Sequence, residues 1–396
     1  MSRPFRPIPR AVVSLAWLAV LAVPLAARRV PASGPDSTPN TPPPAAAPVD
    51  SPAAAAPGFK LSGYAEASYA YSNQAVSGMI IGRLYDRYSN AFVLNAWKLA
   101  VDRPFDPKKL DAGGHADLLV GQNAAVTKAV GFDLGTNGDV TQLYAVLNIP
   151  TANGNGVQFR IGKMVTLMGL EVIEDVANPN WSEGNLFNYV ENFTATGVEF
   201  DAKPSGQVDI ELRLDNGWDR ITPTDGPKDF MGRIGIAAGP NTSIGLLGYY
   251  GRQHPTVDGA RYGGEVLINQ KFGKTSIWIQ GDYGVEAASD SLPDPTQDAK
   301  WWGVGGWIAS DLSPKVNLAL RGDYVDDQQG ARTYSAFALP IVGAEHKFWS
   351  VTGTLNLKAW SNCLVRPEVR YDHSSFTVFN GKGEQVSVAL SAAFLY

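Results

Sequence analysis

The chain has 396 residues, a formal net charge of −5 and a single cysteine, Cys363. The acidic balance argues against nucleic acid as a partner, and one cysteine excludes a disulfide framework or a thiolate metal site. Glycine is abundant (41 residues), charged residues are sparse (18%) and no long apolar run follows the N-terminus. This excludes a helical membrane protein but not a barrel, whose apolar residues are diluted by alternation.

Arg3, Arg6 and Arg10 precede an apolar run over 11–25, closed by Ala26 and Ala27. The pattern predicts a signal peptide over 1–27, too short to serve as a spanning helix. No cysteine follows it, so lipoprotein processing is not expected. Residues 28–58 are rich in Pro, Ala, Ser and Thr. Such a segment cannot bury apolar area and is expected to be a disordered periplasmic linker.

From Phe59 the chain becomes sixteen alternating segments of a tilted membrane strand's length. They lie near 59–72, 91–103, 112–122, 140–150, 156–164, 195–203, 206–216 and 228–238. The second half continues at 242–252, 260–272, 274–285, 299–310, 315–326, 349–359, 363–373 and 384–396. Their connections alternate in length. Short ones (151–155, 204–205, 239–241, Gly273, 311–314, 360–362 and a slightly longer 105–111) carry the Gly, Pro, Asn and Asp of tight turns. Long ones cover 73–90, 123–139, 165–194, 217–227, 286–298, 327–348 and 374–383, with a shorter one near 253–259. Short turns on one side and long loops on the other are the outer-membrane layout, with both chain ends in the periplasm.

Facing is legible strand by strand. In 206–216, Val208, Ile210, Leu212 and Leu214 oppose Asp209, Glu211, Arg213 and Asp215. A row of charges cannot be a dry core, so that face is expected to line water and the other to meet lipid. A soluble β-sandwich shows the same alternation but does not predict the unequal connections. Tyr69, Tyr71, Tyr250, Tyr283, Tyr324 and Tyr371 fall on the outward face near the long-loop end, while Phe394 and Tyr396 lie at the short-turn end. Two aromatic levels one strand apart read as interfacial belts. The last strand, EQVSVALSAAFLY, sets Val386, Val388, Leu390, Ala392, Phe394 and Tyr396 against Gln385, Ser387, Ala389 and Ser391. It is expected to pair with 59–72 and close the barrel. The predicted fold is therefore all-β: a transmembrane antiparallel up-and-down barrel of sixteen strands over 59–396, with a long third external loop.

Three stretches carry a family resemblance: FKLSGYAEASYAYS, the run GKMVTLMGLEVIEDVANPNWSEGNLFNYVENFTATGVEFDAK, and NGWD after the seventh strand. With them the chain from Phe59 to Tyr396 resembles the OmpL-like β-barrel porin family of Gram-negative bacteria. The resemblance implies a barrel in the outer membrane more firmly than any particular solute. One departure is the terminal Tyr396, where porins usually end in Phe.

Loop 165–194 is about thirty residues long, and loops of that length are usually functional. In sixteen-stranded porins the third external loop narrows the lumen, and this loop holds that ordinal position. It carries Glu171, Glu174, Asp175, Glu183 and Glu191 without a basic residue. An acidic constriction is therefore expected opposite a basic wall of Lys98, Arg160, Arg213, Arg233, Arg321, Arg366 and Arg370, setting a transverse field across the pore. Glu66, Glu199, Glu211, Glu265, Asp282 and Glu368 are available to pair with that wall. The alternative leaves the loop external, binding divalent cations or lipopolysaccharide.

His115, His254, His346 and His373 have no ligand spacing, so no metal site is expected among them. The aspartates at 323, 326 and 327 could hold calcium at a loop base, though such clusters are more often a solvated lip. His373 beside Ser374 and Ser375 is the one lipase-like arrangement, and neighbours along a strand face opposite ways. Neither an enzyme nor a cofactor is expected. The function expected is a porin passing small polar solutes or ions down their gradients. The other reading is a non-conducting barrel whose external loops bind a partner or surface. Expected partners are outer-membrane lipid, lipopolysaccharide and the barrel-assembly machinery through the last strand. Analogy with sixteen-stranded porins suggests a homotrimer.

Overall fold

A computed structural model of the chain describes residues 58–223, 228–252, 259–341 and 343–396. The expected signal peptide, the expected linker up to residue 57 and most of the connection 253–259 lie outside the described residues.

Sixteen strands form one closed antiparallel sheet. They are β1 (Lys60–Ser72), β2 (Ala91–Arg103), β3 (Asp111–Val120), β4 (Gly138–Ile149), β5 (Val157–Val165), β6 (Thr194–Ser205), β7 (Val208–Asp215) and β8 (Asp229–Ala237). The chain continues with β9 (Thr242–Gly251), β10 (Arg261–Phe272), β11 (Thr275–Glu286), β12 (Ala299–Ser313), β13 (Val316–Asp327), β14 (His346–Trp360), β15 (Cys363–Ser374) and β16 (Glu384–Leu395). Each strand pairs with its sequence neighbours, and β1 pairs with β16 from Tyr64↔Leu395 to Ser72↔Ser387. Closure satisfies every strand's ladder, which lipid requires because it offers no hydrogen-bond partners. The expected segments coincide with the strands to within a few residues. The largest difference is β14, which begins at His346 because it stays in register with β13 through Asp327↔His346.

The connections alternate as the sequence implies. Residues 206–207, 273–274, 314–315 and 361–362 turn tightly at one end, while 73–90, 166–193 and 328–345 are long at the other. Gly273 takes φ +58° in the two-residue turn between β10 and β11, where a left-handed residue matches the strand twist.

Burial is inverted relative to a water-soluble protein. Outward Leu143, Ile161, Leu214, Ile279 and Val369 are exposed, whereas inward Glu199, Arg213, Arg321, Arg366 and Arg370 are buried. Fully covering such apolar side chains is worth roughly 1.5–3 kcal/mol each, so the outer band requires lipid. The inward charges differ from expectation in one respect. Many are covered by protein rather than open water, because the loops 73–90, 166–193 and 328–345 fold into the barrel and pack against them. Tyr85 of the first loop contacts Phe187 and Phe193 of the third. Phe337, from the loop between β13 and β14, contacts Tyr189 and Phe348.

Candidate functional site

The third long connection crosses the interior. It carries a 3-10 turn (Asp175–Ala177) and a short helix (Asn185–Tyr189), all five of whose residues are buried. Gly169 turns the chain at φ +77°, a conformation that favours glycine.

Three strand arginines hold this loop. Arg321 on β13 donates to Glu171 Oε1 at 2.7 Å and to Thr352 Oγ1 at 3.0 Å, and also bonds the Ser182 carbonyl. Arg366 on β15 donates to the carbonyls of Asp175 (2.6 Å) and Asn178 (2.9 Å). Arg370 donates to the Glu183 carbonyl at 2.8 Å and to Asn185 Oδ1 at 3.0 Å. Carboxylates on the wall take the loop's backbone donors. Glu368 accepts from Trp181 N at 2.8 Å, and Asp323 from Asn185 N at 2.9 Å. Lys98 on β2 pairs with Glu174 of the loop and, at 2.8 Å, with Asp117 of β3.

The expected picture of loop acids facing these cations across an aqueous gap is therefore corrected. Glu171 and Glu174 touch Arg321 and Lys98 directly. Asp175 and Glu183 offer backbone carbonyls, not carboxylates, to Arg366 and Arg370. Glu191 lies against β10 and β11, near Gln280. The physical reason is that a loop lying on the wall can satisfy the buried guanidinium N–H groups with its own carbonyls.

Arg160, Arg213 and Arg233 occupy the other side of the barrel. Arg160 pairs with Glu199 and, at 2.7 Å, with Asp201. Arg213 Nε donates to Glu199 Oε2 at 2.8 Å, and Arg233 meets Asp209 (2.8 Å) and Glu211 (2.6 Å). Between this ladder of alternating charge and the loop lies a cavity of about 290 Å³. Its loop side is apolar, with Leu167, Met168, Leu170 and Ile173; its wall side has Arg160, Met164, Glu199, Glu211, Arg213 and Arg233. A second cavity of about 320 Å³ at the short-turn end shares Tyr144 and Arg160 with it and extends to Lys60, Asp102 and His115. On the opposite side of the loop a space of about 190 Å³ is lined by Asn178, Asp311, Lys315 and Asn356.

Near the long-loop end the guanidiniums of Arg261 and Arg332 each lie over the rings of Trp218 and Trp301. Burial, and then the charge of Arg261, push Arg332 down to about 10. Asp219 accepts from the backbone N–H groups of Phe193 and Thr194 at 2.8 Å each, and burial raises its carboxyl. Sequence reading missed Arg83, Arg261 and Arg332. Arg83, in the first loop, reaches Asp372 on β15 at 2.6 Å. The NGWD stretch was the available signal for the Trp218 group.

The outward aromatics sit on the lipid-facing surface: Tyr71, Tyr250, Tyr283 and Phe394 are exposed, and Tyr69, Tyr324, Tyr371 and Tyr396 are half-buried. Tyr324 packs on Trp302, and Tyr371 on Trp349. Tyr396 Oη donates to the Lys98 carbonyl at 2.7 Å. Asp323 and Asp327 do not share a site: Asp323 binds the third loop, while Asp327 holds Thr333. His373 packs against Trp349, and Ser374 bonds His346 instead, at 2.8 Å.

A family model described as "Putative beta-barrel porin-2, OmpL-like" matches residues 58–396. The chain belongs to this family of outer-membrane barrel porins. No curated protein sequence matches it. Among solved structures it is similar to the outer-membrane channel DcaP of Acinetobacter baumannii (TM-score 0.58, 12% identity, 85% of this chain and 97% of that one). It is also similar to an anion-selective porin from Comamonas acidovorans (TM-score 0.59, 11% identity, 85% and 99%). OmpT of Vibrio cholerae in its trimer form gives TM-score 0.57 at 11% identity, with 85% and 99% covered. At such identities the likeness is one of fold.

Proposed function

We propose that the chain is a porin whose solutes pass between the third loop and the β4–β8 wall. The observation carrying this reading is the pair of cavities that share Tyr144 and Arg160. They leave space beside a loop otherwise fastened to the barrel. Solutes descending their gradients meet alternating charges on one side and aliphatic side chains on the other. In this reading Glu171, Glu174, Asp175, Glu183 and Glu191 shape the constriction by anchoring the loop, and Arg160, Arg213 and Arg233 face solute. Passage is passive, with no enzymatic step.

The C-terminal strand is the segment offered to the assembly machinery, and the exposed band meets lipid and lipopolysaccharide. Three copies per assembly is the state proposed, in line with the trimer form recorded for the OmpT structure.

Single-channel recording in planar bilayers tests the proposal: ohmic steps are expected, and their absence rejects it. Deleting 171–189 should raise conductance. A second reading, a non-conducting barrel whose loops engage a partner, is favoured by the three loops packed inside the barrel. It predicts no steps before the deletion.

A further inference from the structure

Glu191 at the end of the third loop, Glu265 on β10 and Asp282 on β11 each place a carboxylate oxygen within 4.8 Å of the other two. All three side chains are buried, with exposures of 3%, 5% and 6%. Elsewhere on the wall acids such as Glu199 and Asp209 meet arginines, but among the described residues these three make no ion pair with Lys or Arg. Their hydrogen-bond donors are neutral. Gln280 Nε2 donates to Glu191 Oε1 at 2.6 Å and to Asp282 Oδ2 at 3.0 Å, and Gly169 N donates to Glu265 Oε2 at 2.7 Å. An independent observation concerns the remaining oxygens. Glu191 Oε2 and Asp282 Oδ1 are buried and have no hydrogen-bond partner among the described residues.

Three carboxylates out of water, two of them with an unpartnered oxygen, need positive charge or protons. A water molecule could donate to the open oxygens but would neutralise nothing. The ligand set is all oxygen, without His or Cys, which selects a hard cation over zinc or copper. Two oxygens each about 2.4 Å from one ion lie at most about 4.8 Å apart, a span within calcium's coordination range. Magnesium binds at shorter distances and keeps several waters, which suits a dry carboxylate cluster less well.

We propose that Glu191, Glu265 and Asp282 form a calcium site that ties the end of the third loop to the β10–β11 wall. Gln280 is a positioning residue that aligns two of the carboxylates. Gly169 lies beside them at φ +77°, and a Cβ there would displace the Glu191 carboxylate. The inference stands on the cluster alone and does not need the lumen to conduct.

The test uses full-length mature protein refolded into detergent without lipopolysaccharide, stripped with EDTA and titrated calorimetrically with CaCl2 at neutral pH. One calcium per chain is expected. Glu191→Gln and Asp282→Asn should each weaken binding at least tenfold, while Asp294→Asn, in an exposed loop, leaves it unchanged. Glu191→Gln lies outside the strands, so the barrel persists; heat-modifiable gel migration checks this. Calcium should also raise the melting temperature of the parent protein but not of the two site variants. Absence of calcium binding, or equal affinity in parent and site variants, overturns the proposal. Magnesium binding as tightly as calcium overturns the choice of ion. Stabilisation by acid, with none by calcium, assigns the cluster to shared protons and also overturns it.

Discussion

Arg321 on β13 and Glu171 in the third loop are 150 residues apart in sequence, yet their side chains meet at 2.7 Å with 0% and 1% exposure. This pair fastens the loop to the wall in a place where neither charge could remain alone. Breaking a buried pair by removing one partner costs about 3–5 kcal/mol, because the other charge is left uncompensated. Asp323 stays 3.5 Å from Arg321, so Glu171→Gln removes one charged hydrogen bond rather than the only counter-charge, and is expected to loosen the loop by about 1.5–3 kcal/mol while the barrel ladder stays intact. Single-channel recordings should show larger and noisier openings, and limited proteolysis should cut within 166–193. Unchanged conductance together with unchanged protease resistance would show that the remaining anchors, Lys98, Arg366 and Arg370 among them, hold the loop without Glu171.

The charge ladder on β5–β8 makes a separate prediction. Replacing Arg160 and Arg233 by Gln leaves Glu199, Asp201, Asp209 and Glu211 in excess beside the cavity. Ion selectivity should move towards cations, read as the reversal potential under a salt gradient. A potential identical to that of the parent protein would mean that the current does not run along this wall.

On the outer surface Ile161 lies at the middle of β5 and is 62% exposed. Ile161→Arg should destabilise the barrel in a bilayer by about 2–4 kcal/mol, the cost of a cation at the lipid midplane. Folding titrations into vesicles would measure it. A water-facing site would show a change of only about ±0.5 kcal/mol, and that result would contradict a lipid-facing β5.

Tyr396 uses its hydroxyl to bond the Lys98 carbonyl at 2.7 Å, and its backbone exchanges hydrogen bonds with Gly63 across the β1–β16 seam. Tyr396→Phe should lower stability by about 1 kcal/mol, the net worth of one such hydrogen bond, without preventing closure. Denaturant titration is the measurement. A loss several times larger would indicate that the hydroxyl does more than cap the seam.

The candidate site was legible only in part. That a long acidic loop and a set of inward arginines belong together could be read from facing and loop length. Which acid meets which cation could not. Arg366 and Arg370 bond carbonyls of Asp175, Asn178 and Glu183, and every residue carries a carbonyl, so sequence offers no mark for such contacts. The cluster of Glu191, Glu265 and Asp282 joins a loop to two strands whose acids lie 74 and 91 residues further along. Nothing in local spacing announces it, because its three carboxylates come from three separate elements.

The sequence by itself determined the barrel, its sixteen strands, the side that meets lipid and the end that carries the long loops. Those features are local: a period of two in hydrophobicity and the turn residues that interrupt it, each set by which solvent a side chain must face. Only the tertiary structure decided how the interior is filled. The third loop has no periodicity, and its path depends on the shape of the lumen and on charges contributed by β2, β13 and β15 at once. Whether Glu171 faces water or Arg321 is settled by the desolvation of both groups together, and that quantity exists only after the barrel has closed around them.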